Sequence, residues 1–341
     1  MNLRSRIKVI IYHIDSDDIL GEISGTVPIL KTKDLLSVAD LRATEVEQLL
    51  ARALEMKHEA APQSLSGKIL ALVFEKPSLR TRVSFEVAVQ QLGGYALYLS
   101  PAEVGLGERE PASDVARVLS RYVDGIIART FSHQTLETLA LYSTAPVINA
   151  LSDLEHPCQA LADLVTIQEK KGSLRNLNLA FVGDGNNVAN SLLLAASLTG
   201  INFSIASPPG YQIKNEILQK GKEFAAQSGS QICLAEDPRQ VVEDADIVYT
   251  DVWASMGQED EARQRRVDFG GYQVDARLLS LAKDNVIFMH PMPAHSNEEV
   301  AAGLFDNPSS VVFDQAENRL HLQKALLAEV FLSNEQRNVK R

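Results

Sequence analysis

Cysteine is scarce in this chain, and its scarcity limits the redox setting and the metal chemistry. The 341 residues contain two cysteines, Cys158 and Cys233. Two cysteines are too few for a disulfide framework in a chain of this length, which favours a reducing, cytoplasmic setting. No Cys/His spacing resembles a zinc site.

Long apolar runs and excess positive charge are missing as well. No apolar run reaches the roughly 20 residues of a membrane span. A short apolar run near the N-terminus is followed by acids and lacks a small-residue cleavage site, so a secretory signal is not expected. The formal net charge of −11 argues against nucleic-acid or anionic-membrane partners, because both require a basic surface. A few arginines in one pocket can still bind an anion.

Short apolar strands alternate with amphipathic helices from residue 33 onward. This alternation predicts parallel sheets built from right-handed crossovers. The predicted strands are 68–75, 95–100, 124–130 and 146–151 in a first series, and 177–184, 202–207, 231–235, 246–251 and 285–290 in a second. The predicted helices include one from Leu41 capped by Asp40, then 81–92, 112–122, 134–143, 156–172 and 316–333.

The pattern predicts an α/β fold of two parallel-sheet α/β domains joined by interdomain helices. A length of 341 residues agrees with two domains. The expected first domain covers 33–160 and is completed by a C-terminal helix over 316–341. The second covers 161–315. Residues 1–32 show no clear period and are interpreted as an extension of unknown role.

The stretch FEKPSLRTR, residues 74–82, places Arg80 and Arg82 at the start of a helix, where positive charge is unfavourable. Ser78 can cap this helix, and its free backbone N–H groups together with two guanidinium groups form a cradle of phosphate size. The plainer alternative is a capped surface helix whose arginines pair with nearby acids such as Glu86.

The stretch FVGDGNNVANSLLLAASLTG, residues 181–200, combines a strand, Gly-x-Gly and a helix, as dinucleotide sites do. Val188 stands at the third glycine position, and no acidic residue clearly ends the following strand. Both departures disfavour a nicotinamide site.

Five ordered motifs resemble the aspartate/ornithine carbamoyltransferase family. They are FEKPSLRTR, RTFSH with Arg129, HPCQALAD with His156 and Gln159, DVWASMGQE (251–259) and FDQAENR (313–319). The Ser-Met-Gly segment resembles the ornithine branch of the family. The similarity runs from about residue 34 to the C-terminus, and so many ordered motifs rarely coincide by chance.

The resemblance implies a role for each matching residue. Carbamoyl phosphate is expected to contact Ser78, Leu79, Arg80, Thr81, Arg129, His156, Gln159 and Arg319, with Arg82 as a further phosphate ligand. Ornithine is expected to contact Asn187, Asp251, Ser255 and Met256, and Arg129, His156, Gln159 and Asp251 form the catalytic set. The loop at Pro291 and Met292 supplies main-chain carbonyls to the cleft. The resemblance implies an active site in the cleft between the two domains and a homotrimer with sites at subunit interfaces. It implies neither metal nor organic cofactor.

Two departures from the family pattern concern the acceptor side. His290-Pro291-Met292-Pro293 replaces the usual His-Cys-Leu-Pro, so the cysteine thiol near the amine is missing, and the Met292–Pro293 bond is a candidate cis peptide. The loop 102–114 has Gly105 about where relatives carry a glutamine that reaches the neighbouring site, and Arg109 is a candidate substitute.

The activity implied is transfer of the carbamoyl group to the δ-amine of ornithine, giving citrulline and phosphate. Two alternatives stay open: a carbamoyltransferase for another amine, such as putrescine or a modified ornithine, and a catalytically silent regulatory paralogue. The group that accepts the proton of the amine also stays open between bulk water and the substrate itself.

Overall fold

The computed structural model describes residues 30–106, 109–254 and 259–339. The first sheet has four strands, all parallel, in the order β2-β1-β3-β4. These strands are β1 (Ile69–Phe74), β2 (Tyr95–Leu99), β3 (Gly125–Arg129) and β4 (Val147–Leu151). The helices in this part are α1 (Ala43–His58), α2 (Leu79–Gln91), α3 (Pro101–Val104), α4 (Ala112–Leu119) and α5 (His133–Tyr142).

The second sheet has five parallel strands in the order β7-β6-β5-β8-β9. These are β5 (Asn178–Val182), β6 (Asn202–Ala206), β7 (Ile232–Ala235), β8 (Ile247–Thr250) and β9 (Ile287–Met289). The long helix α6 (Pro157–Lys171) leads into this part, which also contains α7 (Asn187–Thr199), α8 (Asn215–Ser228), α9 (Pro238–Val242), α10 (Ala262–Asp268) and α11 (Ala276–Leu279). The two parallel-sheet α/β units confirm the predicted fold class.

The last helix, α12 (Val312–Val339), returns from the second sheet to the first. It packs against α1, α2 and α6, with an apolar face that includes the buried Leu322, Leu326 and Val330. The helix begins four residues before the predicted start at 316. Its apolar face joins the core that also holds α1, so the end of the chain stabilises the first sheet's side of the molecule.

The predicted cap of the first long helix is wrong. Asp40 lies in a short 3-10 turn and accepts hydrogen bonds from the backbone N–H groups of Leu36 and Ser37. Helix α1 instead begins at Ala43, and Glu45 accepts from the N–H of Arg42 at 2.7 Å. Asp40 and Glu45 are five residues apart and both can bond to backbone N–H groups at a helix start. Asp40 does so in the 3-10 turn, and Glu45 does so at the start of α1.

The segment that precedes the first domain is tied to the core where the structure describes it. Leu30 is fully buried, and its carbonyl accepts a hydrogen bond from the hydroxyl of Ser333 in α12. The N–H of Lys31 donates to Glu45 at 3.0 Å. None of the helices within the described ranges is both long and apolar enough to cross a membrane.

Strand order places two loop clusters at the cleft. In the first sheet, β1 lies between β2 and β3, so the chain reverses its direction of winding beside β1. In the second sheet, β5 lies between β6 and β8 in the same way. Ligands of open α/β sheets bind at such reversal points, outside the carboxyl ends of the strands.

Candidate active site

One cavity of about 360 Å³ gathers most of the residues singled out from the sequence. Its lining includes Ser78, Leu79, Arg80, Thr81, Arg129, His156, Gln159, Asn187, Asp251, Pro291, Met292 and Arg319. These side chains come from both sheets and from α6 and α12, and most follow the carboxyl end of a strand. Ser255 and Met256 lie outside the described residues.

The start of α2 forms one wall of the cavity. Ser78 caps the helix, because its hydroxyl oxygen accepts from the N–H of Thr81 at 3.3 Å. The Ser78 hydroxyl also donates to Thr81 Oγ1 at 3.0 Å. The first turn of α2 contains no acidic residue. Its remaining N–H groups therefore face the cavity with the positive end of the helix dipole unopposed.

Three guanidinium groups converge on this wall. Arg80 comes from α2, Arg129 from the end of β3, and Arg319 from α12, where its Nη2 donates to Thr81 Oγ1 at 2.8 Å. The Nε atoms of Arg129 and Arg319 are buried without a hydrogen-bond partner in the described structure. Among the described carboxylates, none forms an ion pair with any of the three.

The clustering of these cations has an electrostatic cost. Burial, followed by the charges of Arg319 and Arg80, lowers the pKa of Arg129 to about 10. Burial lowers the pKa of Arg80 and is the first cause of the lowered pKa of Arg319. All three remain protonated near neutral pH. Three cations without a described carboxylate partner, two of them buried, make this wall an anion site, since an anion offsets their mutual repulsion.

Two arginines considered from the sequence lie elsewhere. Arg82 points away from the cavity, donates to Glu86 at 2.9 Å and stacks on the ring of Tyr98 at 3.8 Å. Arg82 is not among the residues that line the cavity, its contacts fit the plainer alternative of an acid partner, and its phosphate contact stays a prediction. Arg109 is exposed and does not line the cavity.

His156 precedes α6 and presents a neutral imidazole to the cavity. Burial, then the charges of Arg319 and Arg129, lowers its pKa well below the ordinary value. Its backbone N–H donates to Ser191 Oγ at 2.9 Å, and its Nδ1 has no partner among the described residues. One turn further, Gln159 donates from Nε2 to Asp163 at 2.8 Å, and its Oε1 is buried and unpartnered.

The opposite wall is acidic and amide-rich. Asp251, at the end of β8, accepts from Asn186 Nδ2 and from the N–H of Val252, both at 2.8 Å. Burial is the largest influence on Asp251 and raises its pKa. Asn187 begins α7 and donates from Nδ2 to the carbonyl of Ser152 at 2.6 Å. A carboxylate and side-chain amides suit a ligand that carries both ammonium and carboxylate groups.

The loop after β9 closes one end of the cavity. Its Met292–Pro293 peptide bond is cis, as predicted. His290 anchors the loop by two contacts. Its Nδ1 accepts from the N–H of Met292 at 2.8 Å, and its Nε2 lies 3.3 Å from Glu299. The N–H of His290 donates to Gln315 Oε1 at 2.8 Å. Pro291 and Met292 thus reach the cavity on an anchored backbone.

Several lining residues had not been singled out from the sequence. They are Lys76, Pro77, Leu151, Val188, Val252, Ala254, Pro293 and His295. Lys76 could have been predicted as a lining residue, because it stands two residues before the capping Ser78. No sequence feature indicates that His295 lines the cavity, since its position depends on the fold of the loop. A second, wider cavity of about 940 Å³ adjoins the first and shares Lys76 and Asn187 with it.

Fold and site together define a two-domain α/β protein whose interdomain cleft joins a buried anion site to an acidic, amide-lined site. The chain belongs to the aspartate/ornithine carbamoyltransferase family. Residues 33–169 match the family's carbamoyl-P binding domain and residues 175–330 match its Asp/Orn binding domain.

Relatives of known name agree over nearly their whole length. The chain is 52% identical over 305 residues to an ornithine carbamoyltransferase of Anoxybacillus flavithermus, covering 88% of this chain and 97% of that one. The structure of the ornithine carbamoyltransferase from Pyrococcus furiosus matches with a TM-score of 0.85 at 50% identity, covering 89% of this chain and 98% of that one. The anabolic ornithine carbamoyltransferase from Campylobacter jejuni matches with a TM-score of 0.85 at 41% identity, covering 89% and 100%.

Proposed function

We propose that this protein is an ornithine carbamoyltransferase, which transfers the carbamoyl group of carbamoyl phosphate to the δ-amine of L-ornithine and releases citrulline and phosphate. The observation that carries the proposal is the convergence of Arg80, Arg129 and Arg319, without a described carboxylate partner, beside the free end of α2. The names of relatives at about half identity support the same reaction.

The phosphate of carbamoyl phosphate lies at the start of α2. Ser78, Leu79, Arg80 and Thr81 offer hydroxyl, backbone and guanidinium donors there, and Arg319 lies against Thr81 Oγ1. Charge-assisted donors of this kind bind a dianion strongly in a buried site. They also stabilise the phosphate as it leaves, because its charge grows when the bond to the carbamoyl carbon breaks.

The carbamoyl carbonyl lies toward Arg129 and His156. Attack by an amine places negative charge on that oxygen, and the unpartnered Arg129 Nε and the neutral imidazole of His156 are the donors available to it. Gln159 lies on the same side of the cavity. Its Oε1 is an acceptor, so it suits the NH₂ of the carbamoyl group.

Ornithine enters from the second sheet. We assign its amino-acid end to Asn187 and Asp251, together with Ser255 and Met256, which lie outside the described residues. The carbonyls of Pro291 and Met292 accept hydrogen bonds from the δ-amine and direct its lone pair at the carbamoyl carbon. The amine must lose a proton, and the departing phosphate and water are the acceptors that this chemistry offers.

A citrulline assay tests the proposal directly. The protein with carbamoyl phosphate and L-ornithine should form citrulline and phosphate in equal amounts, and the Arg80→Ala variant should be strongly impaired. Turnover no greater than that of the variant would support a silent regulatory paralogue instead.

The second candidate function is carbamoyl transfer to an amine other than ornithine, because Pro291 stands where the ornithine branch has a cysteine. Without that thiol, the groups around the amine are main-chain carbonyls, which accept from any primary amine. Screening putrescine and modified ornithines beside ornithine decides the matter. A product with another amine and no citrulline would replace the leading proposal.

We further propose a cytoplasmic homotrimer that serves arginine biosynthesis. The two cysteines are unpaired, which suits a reducing compartment. Edge strand β2 exposes Tyr95 and Leu97, which suits burial against another subunit. The anabolic relative supports the biosynthetic direction. In a trimer, Arg109 is the candidate residue offered to a neighbouring site. The mass in solution, measured by light scattering, tests the trimer.

The proposed first domain comprises residues 33–160 and 316–341, and the proposed second domain comprises 161–315. Residues 1–32 form an extension. The return of α12 to the core beside α1 supports assigning the last helix to the first domain. The cleft between the domains then holds carbamoyl phosphate on one side and ornithine on the other, and closure of the cleft excludes water from the reaction.

A further inference from the structure

A buried carboxylate lies directly behind the cavity. Asp163 is fully buried on α6, one turn after Gln159, so the two side chains share a face of the helix. Its carboxylate accepts three hydrogen bonds. The donors are Gln159 Nε2 at 2.8 Å, Gln315 Nε2 at 2.8 Å and the Tyr249 hydroxyl at 2.9 Å.

The charge of Asp163 dictates which way the Gln159 amide faces. Burial raises the pKa of Asp163 to about 6, so the carboxylate is ionised at pH 7.5. An ionised carboxylate only accepts hydrogen bonds, and Gln159 must therefore turn its NH₂ toward Asp163. The carbonyl oxygen of the amide then faces the other way, where it is buried without a described partner.

This orientation places an acceptor, Gln159 Oε1, on the side of the cavity where the three guanidinium groups lie. The guanidinium groups of Arg80, Arg129 and Arg319 can only donate. Gln159 lines the same cavity and offers Oε1. A ligand bound against this part of the cavity must accept hydrogen bonds from the guanidinium groups and can donate one to Gln159 Oε1.

We propose that Asp163 is a positioning residue that makes the site specific for a carbamoyl group, by holding Gln159 with its carbonyl oxygen toward the ligand's NH₂. The inference rests on the proposed function. Carbamoyl phosphate and acetyl phosphate share a phosphate and a carbonyl and differ in NH₂ against CH₃. The methyl group leaves Gln159 Oε1 buried and unpaired, which costs binding.

The test compares the two phosphates as probes, titrated calorimetrically without an amine into wild type and variants at pH 7.5. The measured quantity is the dissociation constant of acetyl phosphate divided by that of carbamoyl phosphate. In Asp163→Asn the new amide can donate to Gln159, which then turns its NH₂ into the cavity. We expect the ratio to fall about tenfold, the size of one mismatched hydrogen bond.

A matched control separates orientation from general damage to the network. Tyr249→Phe removes a donor from the same carboxylate but leaves its bond to Gln159 in place. It should lower thermal stability and leave the ratio within twofold of wild type. A ratio that falls equally in Tyr249→Phe would contradict the inference, because it would mark a structural effect.

A swapped pair supplies a rescue. When Asp163→Asn is combined with Gln159→Glu, the amide at position 163 donates to the new carboxylate, whose second oxygen faces the ligand. The ratio should rise again, whatever happens to absolute affinity. If Asp163→Asn alone does not fold, this double variant, which keeps the net charge, and Gln159→Leu take its place. Leucine supplies no acceptor, so its ratio should be low.

The outcomes separate the inference from the proposed function. An unchanged ratio in Asp163→Asn or in Gln159→Leu overturns the role of Asp163 and leaves carbamoyl transfer intact. Equal affinity of wild type for both phosphates does the same. A wild-type protein that binds neither phosphate overturns both proposals together.

Discussion

The two strand-to-helix turns at the cleft share a backbone design and differ in charge. The turn from β1 into α2 carries Arg80 and no acid in the first helical turn. The turn from β5 into α7 carries Asp184 and is capped by Asn186, whose Oδ1 accepts from the N–H groups of Val188 and Ala189. The Ser78 cap takes up one N–H group of α2 and leaves others for an anion, whereas the amide of Asn186 takes up two at the start of α7.

This difference explains why a Gly-x-Gly turn does not make a phosphate site here. A glycine-rich turn binds phosphate when it leaves backbone N–H groups free and lets a ligand approach closely. At Gly185 it is the backbone of another segment of this chain, not a ligand, that approaches closely, because a Cβ there would lie 2.4 Å from the N of Ile213. Glycine is needed at this position so that the two backbone segments can pack together.

The largest expected effect follows from that packing. Gly185→Ala places a methyl group against the backbone of Gln212 and Ile213, which cannot yield as a side chain would. We expect a loss of about 3 kcal/mol in the free energy of unfolding. Denaturant melts measure it. Gly270→Ala is the control, since its Cβ meets one atom, the Val267 carbonyl oxygen, at 3.1 Å. Equal losses in both variants would refute the packing role.

The open turn is tested by its two arginines. Arg80→Ala removes a guanidinium from the cavity and should weaken carbamoyl phosphate binding by about 2 kcal/mol, the scale of a charge-assisted contact. Arg82→Ala, two residues away on the same helix, should leave affinity unchanged because Arg82 pairs with Glu86 outside the cavity. Calorimetry measures both. Similar losses in the two variants would contradict the site as described.

The acidic wall is tested by Asp251→Asn. The asparagine amide is close in shape to the carboxylate but carries no charge. The variant should therefore bind ornithine more weakly and bind carbamoyl phosphate as wild type does. We expect KM for ornithine to rise about tenfold, near 1.4 kcal/mol, with carbamoyl phosphate affinity within twofold of wild type. Steady-state kinetics and calorimetry together provide the measurement. If only the affinity for carbamoyl phosphate fell, the assignment of Asp251 to the ornithine site would be contradicted.

The smallest expected effect concerns Asp184 and pH. Burial, opposed by Arg265, raises the pKa of Asp184 to about 6. A raised carboxyl pKa means that the folded state binds more protons than the unfolded state, so this group's contribution to stability falls as pH rises through 6. Between pH 5 and pH 7, wild type should lose about 1 kcal/mol relative to Asp184→Asn. Denaturant melts at the two pH values measure it, and a constant difference would contradict the raised pKa.

Much of the fold followed from pattern alone. The predicted strand ends lie within two residues of the observed ones, because short apolar runs recur between stretches of helical period. The cap at Asp40 was wrong because local side-chain bonds compete over a few residues. The early start of α12 carried no sequence signal, because its first turn is set by packing against the second sheet.

The site divides in the same way. Ser78 and Arg80 could be assigned from local sequence, since a cap and a first helical turn lie within five residues. Arg129 and His156 gained their roles only through the family resemblance. Arg82 shows the limit of that reasoning: it shares the motif and the helix with Arg80, yet its side chain leaves on a different face and meets Glu86 and Tyr98.

By itself, the sequence determined the alternation of strands and helices, the cap of α2 and the family to which the chain belongs. The tertiary structure decided which charges meet. Arg80, Arg129 and Arg319 are far apart in the chain, and strand order together with the return of α12 brings them to one wall. Likewise, Asp163 orients Gln159 only because Tyr249 and Gln315 arrive from other elements. Local patterns follow from the chemistry of neighbouring residues, whereas buried electrostatics depends on distances that only the folded chain defines.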